Sequence, residues 1–231
     1  MTGTHPAPTD VETDWRDWSE LAARESLRVP RADDDKYSRG VLGVVTGSKE
    51  YPGAAVLGVE AAVRTGLGMV RYLGPGRAAQ MVLLARPEVV TAPGRVQAWL
   101  LGSGMDPSTR TERAAERLEH ALADGTPLVV DAGALDLVGR IEGPAVLTPH
   151  AGELATLLTA AGTEVTRGAI SADPAHWAGV AADLTGHVVL LKGRVTHVCA
   201  PAAEGRRRGA RIKAPSSWAA TAGSGDVLGG I

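Results

Sequence analysis

Val41-Leu42-Gly43-Val44-Val45 runs directly into Thr46-Gly47-Ser48-Lys49-Glu50-Tyr51-Pro52-Gly53-Ala54-Ala55, and a helical pattern continues to Thr65 with Val56, Val59 and Val63 on one face. A short, unbroken apolar run bounded by turn residues reads as a strand buried on both faces. Strand, glycine-rich turn and helix make one βα unit, and the chain repeats that unit downstream. Met69 to Leu73 reads as a strand and Pro75 to Leu84 as a short helix. Ala98 to Leu101 is a strand, followed by a helix from Ser108 to Ala123. Leu128 to Asp131 and Ala145 to Thr148 are strands, and helices follow over Gly152 to Leu158 and Pro174 to Leu184. Val188 to Leu191 and Val195 to Cys199 form a strand pair across Lys192-Gly193-Arg194. Strands alternating with helices at these lengths predict an α/β fold with a largely parallel central sheet covered by helices on both faces.

Upstream of the opening stretch, residues 1 to about 14 carry Pro, Thr, Gly and Asp without periodicity and are expected to stay loose. Trp15 to Leu27 reads as a helix, so residues 1–35 form a leader with a short helix ahead of one domain over 36–231. The chain has 231 residues, 44% of them hydrophobic, enough for one substantial core. Lys plus Arg at 24 against Asp plus Glu at 26 gives a net charge of -2, which argues against nucleic acid or an anionic membrane as partner. Small molecules are favoured instead. One cysteine, Cys199, excludes an internal disulfide and a multi-cysteine metal site, and fits a reducing cytoplasm. No run approaches the roughly 20 apolar residues that would span a bilayer. Arg206-Arg207-Arg208, after Gly205, reads as a solvated hairpin tip.

In sheets of this kind, ligands lie beyond the carboxyl ends of the strands. Glycine-rich loops follow the strands there: Gly47 to Ala55, and Gly102-Ser103-Gly104-Met105-Asp106. Taken singly, each is an ordinary tight turn. Asp131 ends a strand, where it positions a hydroxyl or a metal-bound water, or merely caps the next helix. In Thr148-Pro149-His150-Ala151-Gly152-Glu153, His150 lacks a second ligand at metal spacing and reads as a substrate hydrogen-bonder. Glu153 falls in a helix's first turn, where a carboxylate also suits the dipole. Lys192 closes an apolar strand, a costly place for a cation unless it meets solvent or an anionic ligand. Finally, Thr221-Ala222-Gly223-Ser224-Gly225-Asp226 is a turn whose glycines let successive N–H groups converge on an anion. A carboxylate beside a phosphate is repelled unless it takes a proton from a hydroxyl or organises a metal. The alternative is a plain turn with Asp226 as a helix cap.

Together these segments resemble the ADP- or ATP-dependent NAD(P)H-hydrate dehydratases of the ribokinase-like superfamily. The resemblance runs from Lys36 to Ile231. It is carried by Lys36 to Gly40, Gly47 to Ala55, Arg64 to Gly68, Arg86-Pro87-Glu88, Asp131 to Leu135, Thr148 to Glu153, Leu191-Lys192-Gly193 and Ala222 to Leu228. It implies that Ala55, Gly104, His150 and Asp226 contact the hydrated NADH or NADPH. It also implies that Lys192, Gly193, Arg194, Val195, Thr196 and Gly225 contact ADP or ATP, the phosphate-donating co-substrate. Gly223, Ser224 and Gly225 would form the anion hole, Asp226 the catalytic carboxylate, and Mg²⁺ the charge-neutralising ion, with no side-chain metal ligand assigned. A cytoplasmic homo-oligomer, a tetramer, is implied too.

Two departures stand out. The family pattern predicts Gly-Pro-Gly where this chain has Gly102-Ser103-Gly104, and it predicts further helices beyond the Gly-Ser-Gly-Asp segment. The domain is therefore expected to lack its C-terminal helices. The competing readings are a ribokinase-like kinase for a vitamin precursor, and a nucleotide-binding remnant without catalysis.

Overall fold

The computed structural model describes residues 11–231. Nine strands among them form one sheet: β1 (Thr13–Asp17), β2 (Val41–Val45), β3 (Met69–Tyr72), β4 (Ala98–Leu101), β5 (Leu128–Val130), β6 (Ala145–Leu147), β7 (Val188–Leu191), β8 (Val195–Cys199) and β9 (Arg207–Lys213). Their order across the sheet is β1-β9-β8-β7-β6-β5-β4-β2-β3. Neighbours run parallel except at β7–β8 and β8–β9. The helices are α1 (Glu20–Ser26), α2 (Pro52–Arg64), α3 (Gly76–Ala85), α4 (Glu112–Ala123), α5 (Ala151–Ala160), α6 (Arg167–Ala172), α7 (Pro174–Thr185) and α8 (Ser224–Gly230).

Side chains alternate across a strand, and the central strands bury both alternating sets. Val45, Leu101 and Leu147 join Trp99, Leu118 and Leu154 in a core on one face. Val44 and Leu100 join Ala55, Val59 and Tyr72 on the other. This two-sided burial explains why β2 and β4 are apolar without a break, as expected of a doubly covered parallel sheet. Each fully buried Leu or Val contributes about 1.5–3 kcal/mol, so the strand centres are fixed and the loops at their ends carry the variable chemistry.

Chain direction matters most at β2. The chain leaves β2 for β3 on one side and then returns to place β4 on the other. At such a switch point the two following loops diverge, opening a crevice at the carboxyl edge. The loops after β2 and β4 therefore both emerge at this edge of the sheet.

Several expectations need correction. Trp15 lies in β1, pairing with Gly209 of β9, and the helix begins only at Glu20, capped by the Ser19 side chain. A Cβ on Gly209 would fall 2.7 Å from the Trp15 ring, so β1 docks because β9 leaves that space. Of the loose stretch expected over residues 1 to 14, the first ten lie outside the described residues, while Thr13 and Asp14 already belong to β1. The helix expected from Ser108 is a short 3-10 turn at Pro107–Thr109 followed by α4, capped by Thr111. Helix α6 and strand β9 had no sequence signal. Arg206 flanks the Glu204-Gly205 turn and is exposed, as is Arg208, but Arg207 departs from the expected solvated tip: it is buried in β9 and ion-paired with Asp183 of α7.

Helix α8, which carries Asp226, lies against α2. A Cβ on Gly230 would stand 2.1 Å from the Gly58 carbonyl oxygen, so only glycine permits the approach.

Candidate active site

The crevice at the switch point is closed at its base by a hydrogen bond from Gly47 N–H to the Ser103 carbonyl, 2.7 Å. Gly104 adopts φ +66°, and a Cβ there would come within 2.3 Å of the Ala54 methyl and 3.0 Å of the Tyr51 carbonyl. The two loops thus interlock through backbone, which requires glycine. Ala55 is fully buried, its methyl 3.1 Å from where a Cβ on Gly47 would stand. Ala55 and Gly104 therefore both lie against Gly47, and Tyr51 in the same loop is exposed.

A second group of loops converges beside them. Asp131, only 2% exposed, accepts hydrogen bonds from Ser103 Oγ at 2.9 Å, Thr148 Oγ1 at 2.8 Å and Lys192 Nζ at 2.8 Å. It makes no cap bond to the 3-10 run that follows it, so the capping alternative is excluded. Neither Ser103 nor Thr148 was read from the sequence as part of the site. A hydroxyl one or two residues beyond a strand end is a common turn residue, and only the buried carboxylate gives it meaning.

His150 and Glu153 form a reciprocal capping box at the start of α5. Glu153 N–H donates to His150 Nδ1 at 3.0 Å, and His150 N–H donates to Glu153 Oε2 at 2.8 Å. One imidazole nitrogen is thereby committed to structure, leaving Nε2 3.6 Å from Glu153 Oε1. Lys192 lies beside them: its N–H donates to the Pro149 carbonyl, and its ammonium is 3.7 Å from Glu153. The cation at the end of the apolar strand β7 is thus satisfied by two carboxylates, the condition under which a partly buried ammonium is tolerated.

At the third corner, Gly223 takes φ +90° as the cap of α8. Ser224 spends both its N–H and its hydroxyl on the Thr221 carbonyl. The first-turn amides of Gly225 and Asp226 have no partner within the helix, as geometry dictates for N-terminal positions, so of the expected anion hole Gly223 and Gly225 keep their donors uncommitted while Ser224 does not. A Cβ on Gly225 would stand 3.4 Å from Lys192 Nζ, which places the ammonium over this turn. Burial, and secondarily the nearby Asp131 carboxylate, raise the pKa of Asp226 above its ordinary value, with Lys192 opposing them. Gly193, Arg194 and Val195 line an adjoining cleft of about 560 Å³ together with Lys192 and Pro174. Arg194 is exposed and bonded to Ser217, while Thr196 is half-buried on β8.

A parallel sheet with a switch-point crevice, a glycine turn carrying an aspartate and a cleft on the antiparallel β7–β8 pair defines a ribokinase-like α/β protein. The profile of the Carb_kinase family, described as NAD(P)H-hydrate dehydratase, matches residues 42–231, and the chain belongs to that family. It is 44% identical over 225 residues to the bifunctional NAD(P)H-hydrate repair enzyme Nnr of Mycobacterium tuberculosis, covering 92% of this chain and 44% of that protein. It therefore spans less than half the length of this relative. It is 33% identical to the ADP-dependent (S)-NAD(P)H-hydrate dehydratase of Xanthomonas campestris, covering 91% of this chain and 76% of the relative. The crystal structure of the ADP/ATP-dependent NAD(P)H-hydrate dehydratase of Bacillus subtilis, co-crystallised with ATP and Mg²⁺, superposes with TM-score 0.79 at 26% identity. That match covers 93% of this chain and 78% of the other.

Proposed function

We propose that the chain dehydrates hydrated NADH or NADPH to the reduced cofactor, using ADP or ATP as phosphate donor. The observation that carries this reading is the meeting of Asp226, Lys192 and the Gly225 turn at the rim of the crevice formed by Gly47 and Gly104. One side holds a flat organic substrate against backbone, and the other holds a phosphate chain. In this mechanism Asp226 accepts the proton of the ring hydroxyl while that oxygen attacks the terminal phosphorus and the bond to the nucleotide breaks. The uncommitted Gly225 amide and the Lys192 ammonium offset charge on the transferring group. The ring nitrogen lone pair then expels phosphate, and loss of a proton from the adjacent carbon restores the dihydropyridine. The raised pKa of Asp226 brings a carboxylate closer to the basicity a general base needs.

Among the described residues no group of three or more His, Cys, Asp or Glu side chains forms a metal site. Magnesium in phosphoryl-transfer sites is held by one or two carboxylates plus phosphate oxygens and water, and Glu153, at the rim, fits that role. The ion supplies neutralisation of phosphate charge when bound. His150 Nε2 and the backbone near Ala55 and Gly104 are assigned to the dinucleotide, and Gly193 to Thr196 to the nucleotide donor. No helix among the described residues is long and apolar enough to cross a membrane; a cytoplasmic tetramer belongs to the same proposal.

The test is to incubate the protein with Mg²⁺, hydrated NADH and ADP or ATP, following recovery of dihydronicotinamide absorbance. Nucleotide-dependent recovery supports the reading and identifies the donor. Accumulation of a phosphorylated organic product without recovery would instead identify a small-molecule kinase.

A further inference from the structure

The departure at Ser103 has a structural partner. Where the family resemblance predicts proline, Ser103 sends its hydroxyl to Asp131 Oδ2, and its carbonyl takes the Gly47 N–H. The same carboxylate is held through Oδ1 by Thr148 and Lys192. Three loops, following β4, β6 and β7, therefore meet on one group buried behind the site. Asp131 is only 2% exposed and both of its oxygens already accept hydrogen bonds from these loops, so its part is to hold them rather than to reach substrate.

We propose that Asp131, oriented by Ser103 and Thr148, is a positioning residue that fixes the Lys192 ammonium over the Gly225 turn, where the donor's phosphate is transferred. This rests on the dehydratase reading for the identity of the phosphate donor. A lysine side chain has four rotatable bonds and loses much of its freedom on fixation; a charge-assisted bond to a buried acceptor supplies the restraint. Ser103 extends the restraint to the turn against which Gly104 and Ala54 pack, so the substrate crevice and the phosphate turn share one anchor. Proline at 103 would hold that turn by stiffness alone; serine replaces stiffness with a bond to the same carboxylate that sets Lys192.

The experiment is a double-mutant cycle between Asp131→Asn and Lys192→Met, read by ADP and ATP affinity in calorimetry and by kcat and KM for hydrated NADH. Each single variant is expected to lose roughly ten- to hundredfold, the size of a lost charged hydrogen bond. The double variant should be no worse than Lys192→Met. Ser103→Ala and Thr148→Val should give smaller losses that also vanish in the Lys192→Met background, and they stand in for Asp131→Asn if it does not fold. Additive losses would overturn the proposal, as would variants at 131, 103 and 148 with wild-type affinity and turnover. If wild-type protein binds nucleotide but never restores NADH, the dehydratase reading fails while the calorimetric cycle still decides this one.

Discussion

Replacing Gly230 by alanine isolates what holds Asp226 in place. The new Cβ would stand 2.1 Å from the Gly58 carbonyl oxygen and 2.9 Å from the Ala61 methyl. Ordinary contact begins near 3.4 Å, so α8 must retreat from α2 by 3.4 − 2.1, about 1.3 Å, or tilt by an equivalent amount. Alanine's higher helix propensity recovers about 0.5–1 kcal/mol, whereas overpacking of this kind costs roughly 1–3 kcal/mol. The net is destabilising, by about 1–2 kcal/mol. For a domain of this size that lowers Tm by roughly 2–8 °C. The catalytic effect should be larger, because misplacing a reacting group by about 1 Å can cost roughly 10²-fold in rate. The nucleotide contacts proposed for Lys192 to Thr196 lie outside α8 and should be retained. Gly58→Ala is the control: its Cβ meets Asp226 O and Leu100 at 3.4 Å, ordinary contact, so it should keep activity and match or exceed wild-type Tm. Calorimetry, thermal melts and steady-state turnover on the two variants decide the matter. Gly230→Ala with wild-type kcat would refute the argument that close α2–α8 packing sets the position of Asp226.

Other residues give further tests. Arg207→Met removes an ion pair with Asp183 and the bond to Thr13 Oγ1 that ties down β1. With the Arg207 side chain 8% exposed and Asp183 29%, the stranded carboxylate can partly rehydrate, so the cost should be about 2–3 kcal/mol, seen as a lower denaturant midpoint. Burial pushes the Cys199 thiol up to about 11, so a thiol reagent at neutral pH should label it only as the protein unfolds; rapid labelling of native protein would contradict its burial. Because the pKa of Asp226 is raised in the folded state, its ionised form is disfavoured by folding. Its contribution to stability is thus fully present below the ordinary carboxylate pKa and lost as pH rises through the raised one. Asp226→Asn should therefore abolish turnover yet raise Tm at pH 7, with the gain shrinking toward acid pH; a variant less stable than wild type at pH 7 would refute that sign.

The sequence made some parts of this protein readable and hid others for definable reasons. Strands β2, β4 and β7 are apolar on both faces because both faces are covered, so their local composition reports their position. Strands β9 and β1 lie at the far edge, where Arg211 pairs with Asp17 across the two strands and Arg207 pairs with Asp183 of α7. Their charges read locally as loop, and only the partner strand and the space at Gly209 make them sheet. The site divides in the same way. Glycine turns at 47, 104 and 223 were legible because positive φ and close approach select glycine from backbone geometry alone. The hydroxyls of Ser103 and Thr148 were not, since their meaning lies in a carboxylate 28 and 17 residues away. Lys192 is instructive for both reasons. Its cost at the end of an apolar strand was apparent from sequence, which left solvent or an anionic ligand to meet it and did not name the protein carboxylates that do. The structure supplies Asp131 and Glu153 as standing partners while leaving the ammonium at the Gly225 turn, so a bound phosphate would join an existing electrostatic arrangement. That arrangement is compatible with function only if Lys192 can serve both: a phosphate must compete with Asp131 for part of the ammonium's three donors, not displace it. The position of the lysine is then set before substrate arrives, which is the condition for its charge to act in the transition state without reorganisation.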